Sequence, residues 1–131
     1  MSQENVERAK RAADAFNRRD LAAFLALVDP GVDFTTRFVE RGGSYQGHDG
    51  VRTWWEDLMR VFPDFSVEVV EVRDLGDLEI VRLRVRGHGV GSDTPIEEDI
   101  WQVIKWRNEK IVSSRNYGNE AEALEAAGLS E

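Results

Sequence analysis

The sequence predicts an α+β domain in which three helices lie across a curved antiparallel sheet and close a pocket. Three observations carry this. Apolar residues recur at helical spacing up to Pro63, with one alternating segment between, and then alternate from Ser66 to Tyr117. Helices kept apart from a run of strands define the α+β class. Between the two halves stands GHDGVRTWWEDLMRVFPDF, Gly47 to Phe65, which reads as one amphipathic helix bearing two tryptophans.

Taken in order, Val6, Ala9, Ala13 and Phe16 predict an amphipathic first helix. Asn17 to Arg19 form a short break. Asp20 suits the N-cap of a second helix, Leu21 to Val28, with Phe24, Leu25 and Val28 on its apolar face. Asp29-Pro30-Gly31 has the turn chemistry to end it. From Val32 to Glu40 the period falls to two. Val32, Phe34, Thr36 and Phe38 share one face of this strand, and Asp33, Thr35 and Arg37 the other. Gly42-Gly43-Ser44 reads as a loop. Asp49 is the expected N-cap of the central helix, on which Val51, Trp54, Trp55, Leu58 and Phe62 gather before Pro63 stops it. Adjacent tryptophans cannot both point squarely at one core, so one is expected to pack and the other to line the pocket mouth.

Four strands follow: Ser66 to Arg73, Leu78 to Gly89, Ile96 to Trp106 and Lys110 to Tyr117. Turns at Leu75-Gly76-Asp77, around Gly91 to Pro95, and at Arg107-Asn108-Glu109 make consecutive strands antiparallel. Asn119 with Glu122 forms a capping box for a short last helix, and Gly128 suits its end.

Bulk properties narrow the function. At 131 residues the chain is expected to be one domain over residues 1–131. A chain of that size buries about two-thirds of its unfolded surface, enough for a core without staples. The 41% apolar and 32% charged content fits a soluble globular protein. No apolar run has bilayer length, and the charged N-terminus lacks a secretory apolar segment, so a cytoplasmic location is the default. The net charge of −8 argues against a nucleic-acid partner. There is no cysteine, and the two histidines show no metal-binding spacing, so neither a metal nor any other cofactor is expected.

Three segments resemble the SnoaL-like branch of the nuclear transport factor 2 superfamily. They are NRRDLAAFLALVDPGVDF from Asn17, the G-x-x-G-V-R-x-W-W start at Gly47, Gly50, Val51, Arg52, Trp54 and Trp55, and the closing stretch from Trp106. The resemblance implies a cone: a bent antiparallel sheet wrapped on helices around an apolar pocket. It also implies a homodimer through the outer sheet face. Family activities include ketosteroid isomerase, polyketide cyclase, limonene epoxide hydrolase and scytalone dehydratase, while other members only bind a ligand or a protein. The fold therefore does not choose the function.

The isomerase residues of the family fall on Thr36, Ala12 and Gln102 in place of an aspartate base, a tyrosine and a protonated acid. A threonine cannot be that base, so this activity is excluded. The cyclase arrangement pairs an acid with a histidine on the neighbouring strand. His88 matches the histidine, but the acid again falls on Gln102. Asp99 lies three residues upstream and would face the pocket only through a bulge near Pro95 to Asp99. No pair of aspartates bridged by an arginine matches the epoxide hydrolases.

The residues themselves leave two readings. Alternation puts His88 on the outer face with Arg82, Arg84 and Arg86, unless a bulge at Gly87 or Gly89 turns it inward as an acid or base. The arginines either bind an anion or pair with Glu68, Glu97 and Asp99 around Trp101, a mixture suited to a dimer interface. His48 beside Asp49 is either an anion contact at a helix start or a solvated cap. Glu40 keeps the parity of Thr36 and is a further candidate acid. The first expectation is a protein that binds a small apolar, polyketide-like or steroid-like molecule, or turns it over as an isomerase, cyclase or dehydratase. His88 would be catalytic with Asp99 or Glu40, and Thr36, Trp55, Phe62, Gln102, Asn116 and Tyr117 would touch the ligand. The second is a non-catalytic ligand-binding or assembly module. A pocket-facing carboxylate near His88 would select the enzyme; a pocket with Gln102 as its deepest polar group and no carboxylate would select binding.

Overall fold

A computed structural model describes residues 3–35 and 44–128. Helix α1 (Gln3–Asn17) turns into α2 (Leu21–Leu25), strand β1 (Val28–Thr35) and a short β2 (Ser44–Gln46). The tryptophan-bearing α3 (Gly47–Val61) precedes β3 (Ser66–Asp74), β4 (Leu78–His88), β5 (Pro95–Arg107), β6 (Lys110–Tyr117) and α4 (Glu120–Ala126). The six strands form one curved, unclosed sheet in the order β2-β1-β6-β5-β4-β3.

Alternation decides the two faces. Val81, Leu83 and Val85 of β4 and Ile100 and Ile104 of β5 are buried on the inner face. There they meet Phe16 of α1, Phe24 of α2 and Trp54, Trp55 and Leu58 of α3. The aromatic rings are close-set: Phe34 and Trp54 have centroids 4.7 Å apart, Phe16 and Trp55 5.1 Å. The outer face carries a smaller cluster, Ile80, Val103 and Ala123, with α4 across it.

Both short helices start as the sequence predicts. Asp20 accepts from the Ala23 N–H at 3.1 Å, and Asn119 accepts from the Glu122 N–H at 2.8 Å. The central helix does not. Its N-cap is Gln46, and Asp49 lies within the first turn. Gly47 has φ +70°, and a Cβ on Gly50 would meet the Tyr45 carbonyl carbon at 3.0 Å. The paired glycines thus let this helix start tightly against β2, a strand that the sequence pattern does not predict.

Two further differences concern β1. Val28 belongs to this strand and not to α2, because the chain there leaves its helix to pair with β6: Val28 aligns with Ile111, whose N–H donates to the Leu27 carbonyl at 2.9 Å. Asp29-Pro30-Gly31 then falls in an irregularity of that pairing rather than in a free turn. The β1–β6 pairing is parallel, so the sheet is mixed at this position and antiparallel elsewhere.

The break at Asn17–Arg19 is a built junction. The Asn17 amide donates to the Val67 carbonyl at 2.8 Å and accepts from the Val67 N–H at 2.9 Å, as a strand neighbour would. Edge strand β3 is capped there instead of being left open. Arg19, at φ +61°, donates to the carbonyls of Phe16, Pro63 and Phe65. The turn after α1 is thereby fastened to the loop after α3.

Candidate functional site

Between the helices and the inner sheet face lies a cavity of about 80 Å³. Ligand pockets commonly run from about 300 Å³ upward, so the rings of Phe16, Phe24, Phe34 and Trp54 have already filled much of the hollow. Its walls include Ala9, Ala12 and Ala13 of α1, whose small side chains leave the space open. Val81, Leu83, Val85, Ile100 and Ile104 supply the sheet side.

Its polar groups come from two adjacent strands. Gln102 of β5 and Asn116 of β6 both line the cavity and stand directly opposite each other in register. Their Cβ atoms are therefore about 5 Å apart. Ser114, buried and two residues before Asn116, lines it as well. Asn116 Oδ1 is buried and has no hydrogen-bond partner among the described residues. Among the described residues around the cavity, none is ionisable.

The sequence-predicted site residues are only partly brought together. Gln102 and Asn116 are in the cavity wall. Thr36 and Glu40 lie outside the described residues. Trp55, expected to touch the ligand, is instead buried beside Phe16 and Phe24, and Trp54 lines the cavity in its place. Both tryptophans are buried, because Phe16 of α1 and Phe24 of α2 meet both rings and Phe34 of β1 meets Trp54. Phe62 does not line the cavity; it packs behind the wall residue Phe65, just past the end of α3. Tyr117 points to the outer face, one residue out of phase with Asn116, and joins the cluster under α4.

His88 is exposed, away from the cavity. Its Nδ1 lies 2.8 Å from Asp64 Oδ2, and its backbone N–H donates to Asp64 Oδ1 at 2.8 Å. These bonds hold the Asp64 carboxyl below the usual carboxylate range. No bulge turns His88 inward: β4 and β5 stay in register from Leu78 opposite Lys105 to His88 opposite Pro95. Gly87 serves another purpose, since a Cβ there would meet Asp64 Oδ1 and Phe65 Cα at 3.2 Å. The same unbroken register keeps Asp99 outside. Arg82 and Arg84 donate to it at 2.8 and 2.9 Å, and the Arg84 bond above all holds its carboxyl below the ordinary range. His48 is neither an anion contact nor a solvated cap. Its Nε2 lies 2.7 Å from the Val28 carbonyl and donates to it.

One acid was missed. Glu79 is fully buried on β4, opposite Ile104 and in phase with Val81, so it faces inward. The indole N–H of Trp106, a cavity-wall residue, donates to its Oε1 at 2.8 Å, while Oε2 has no hydrogen-bond partner among the described residues. Arg8 stacks over the Trp106 ring at 5.6 Å. Burial pushes the Glu79 carboxyl up to about 7. Asp74 adds to the rise, and the Trp106 bond and Arg8 oppose it. The signal was present in the sequence, because Glu79 continues the alternation of Val81, Leu83 and Val85. A glutamate at a strand start was simply not counted as an inner residue.

A curved sheet wrapped on helices around an interior cavity defines the class: an NTF2-like α+β fold. The chain belongs to the SnoaL-like family, whose domain profile matches residues 9–114. No curated protein matches the sequence. Among solved structures, it is similar to an NTF2-like protein of unknown function from Burkholderia pseudomallei K96243, with TM-score 0.80, 22% identity, and coverage of 95% of this chain and 97% of that one. It is also similar to a hypothetical protein with a ketosteroid isomerase-like fold from Catenulispora acidiphila, solved with trimethylamine (TM-score 0.76, 19% identity, coverage 94% and 93%). A third is a proposed SnoaL-like polyketide cyclase from Jannaschia sp. CCS1 (TM-score 0.75, 18% identity, coverage 89% and 88%). At these identities the likeness concerns the fold.

Proposed function

We propose that this protein binds a small, mostly apolar molecule in the cavity and does so without the histidine–carboxylate chemistry available to its family. One observation carries the reading. The described residues of the cavity wall are apolar side chains, two amides and one hydroxyl, with no group that titrates near neutral pH. His88 is hydrogen-bonded to Asp64 and Asp99 is paired with Arg82 and Arg84, both outside the cavity. A largely apolar pocket with a few placed polar groups is the usual form of a small-molecule site.

The test is a turnover screen of purified protein against enone, β-keto and hydroxylated ring substrates, alongside calorimetric binding. Saturable binding with no turnover is the expected result. Turnover abolished by His88→Ala would overturn it. Glu79 favours a second reading. Its carboxyl lies behind a wall residue and titrates near neutrality, which suits a proton carrier. Turnover that survives His88→Ala and is lost in Glu79→Gln would select this reading over binding alone.

The reading includes a homodimer through the outer sheet face. Trp101, half-buried with Arg82 5.4 Å over its ring, and the ion pairs of Arg84 and Arg86 support it. Arginine and tryptophan are enriched where protein surfaces meet.

A further inference from the structure

The cavity's polar groups narrow the class of ligand, on the reading that the cavity is the binding site. Asn116 Oδ1 is a buried acceptor without a donor among the described residues. Such a group is costly, and a ligand that brings a donor removes the cost. Gln102 stands opposite, and its amide both donates and accepts. A hydroxyl answers both groups at once, donating to Oδ1 while accepting from an amide N–H. A ketone or aldehyde only accepts and leaves Oδ1 unpaired. A carboxylate or ammonium would enter a wall that, over its described residues, holds no opposite charge. Size sets the other limit. An engineered cavity of about 150 Å³ holds benzene, and this one, at about 80 Å³, needs its half-buried walls at Ala12, Ala13, Val67 and Trp106 to give way even for one ring.

We propose that the cavity takes an uncharged alcohol or phenol of at most one ring, its hydroxyl donating to Asn116 Oδ1 and accepting from the Gln102 amide. The probes are phenol, benzene, benzaldehyde, benzoate and 1-naphthol, titrated calorimetrically into the full chain. Phenol should bind about tenfold tighter than benzene, the scale of one buried hydrogen bond. Benzaldehyde, which can accept from Gln102 but leaves Oδ1 unpaired, should bind more weakly than phenol, and benzoate and 1-naphthol should bind more weakly than benzene. Asn116→Leu should bring phenol down toward the benzene level while benzene binding persists, which also shows that the variant is folded. Gln102→Met, near in size, should lower phenol affinity in the same direction. Benzaldehyde or benzoate binding as tightly as phenol would overturn the hydroxyl assignment. So would phenol's advantage surviving in both variants. 1-Naphthol binding tighter than phenol would overturn the size limit. If neither benzene nor phenol binds, the cavity is not a ligand site and the function proposed above fails with it.

Discussion

Glu79 is a fully buried acid that the alternation of β4 turns inward. Its carboxyl is raised from 4.5 to about 7, so the folded protein holds a proton that the unfolded chain has lost between those values. Stability from this group is fully present below pH 4.5 and is lost as the pH rises through 7. The urea midpoint should therefore fall between pH 5 and 8, and Glu79→Gln should flatten that slope. Midpoints at four pH values for both proteins check this; equal slopes would place the pH sensitivity elsewhere. Asn17 offers a second case at this scale. Its amide supplies two hydrogen bonds to the backbone of Val67, so Asn17→Ala should cost about 1–3 kcal/mol in denaturant unfolding. In the sequence Asn17 was only a break residue, because a side chain acting as a strand neighbour has no local signature.

The elements were legible where period and caps agree. Helices α1 and α3 follow their helical period and β4 its alternation. Strands β3 and β5 do so apart from one register shift each, between Val69 and Glu71 and between Lys105 and Trp106, and Asp20 and Asn119 cap as read. The short pieces were not legible. Strand β2 has three residues, too few for a period, and β1 begins in residues that locally look like the end of α2. Helix α3 depends on its first turn. Gly50→Ala would push a methyl against the Tyr45 backbone, which cannot move as a side chain tip can. The expected cost is about 1–3 kcal/mol, read as a lowered melting temperature. An unchanged melting temperature would mean that the first turn of α3 is not held against β2.

At the scale of the molecule, the sheet has a helix-covered inner face and an outer face only partly covered by α4. The exposed remainder carries Arg86, Glu97 and the rim of Trp101. A dimer through that face predicts twice the chain mass at micromolar concentration by sedimentation. Trp101→Glu should shift the species to one chain mass, with far-ultraviolet circular dichroism unchanged. A single-chain mass for the parent protein refutes the dimer. Among the described residues, no helix is long and apolar enough to cross a membrane.

The sequence by itself determined the class of fold, the order of its principal elements and the inward parity of Gln102, because the period of apolar residues and the caps are local properties. It also limited the choice between Asn116 and Tyr117 to one. Only the tertiary structure decided that Asn116 is the inward one and that its partner across the strands is Gln102. It kept His88 and Asp99 outside through an unbroken register, and it put Glu79 behind Trp106. Those outcomes depend on how separate strands align and on which side chains reach the hollow first, quantities that no local period contains.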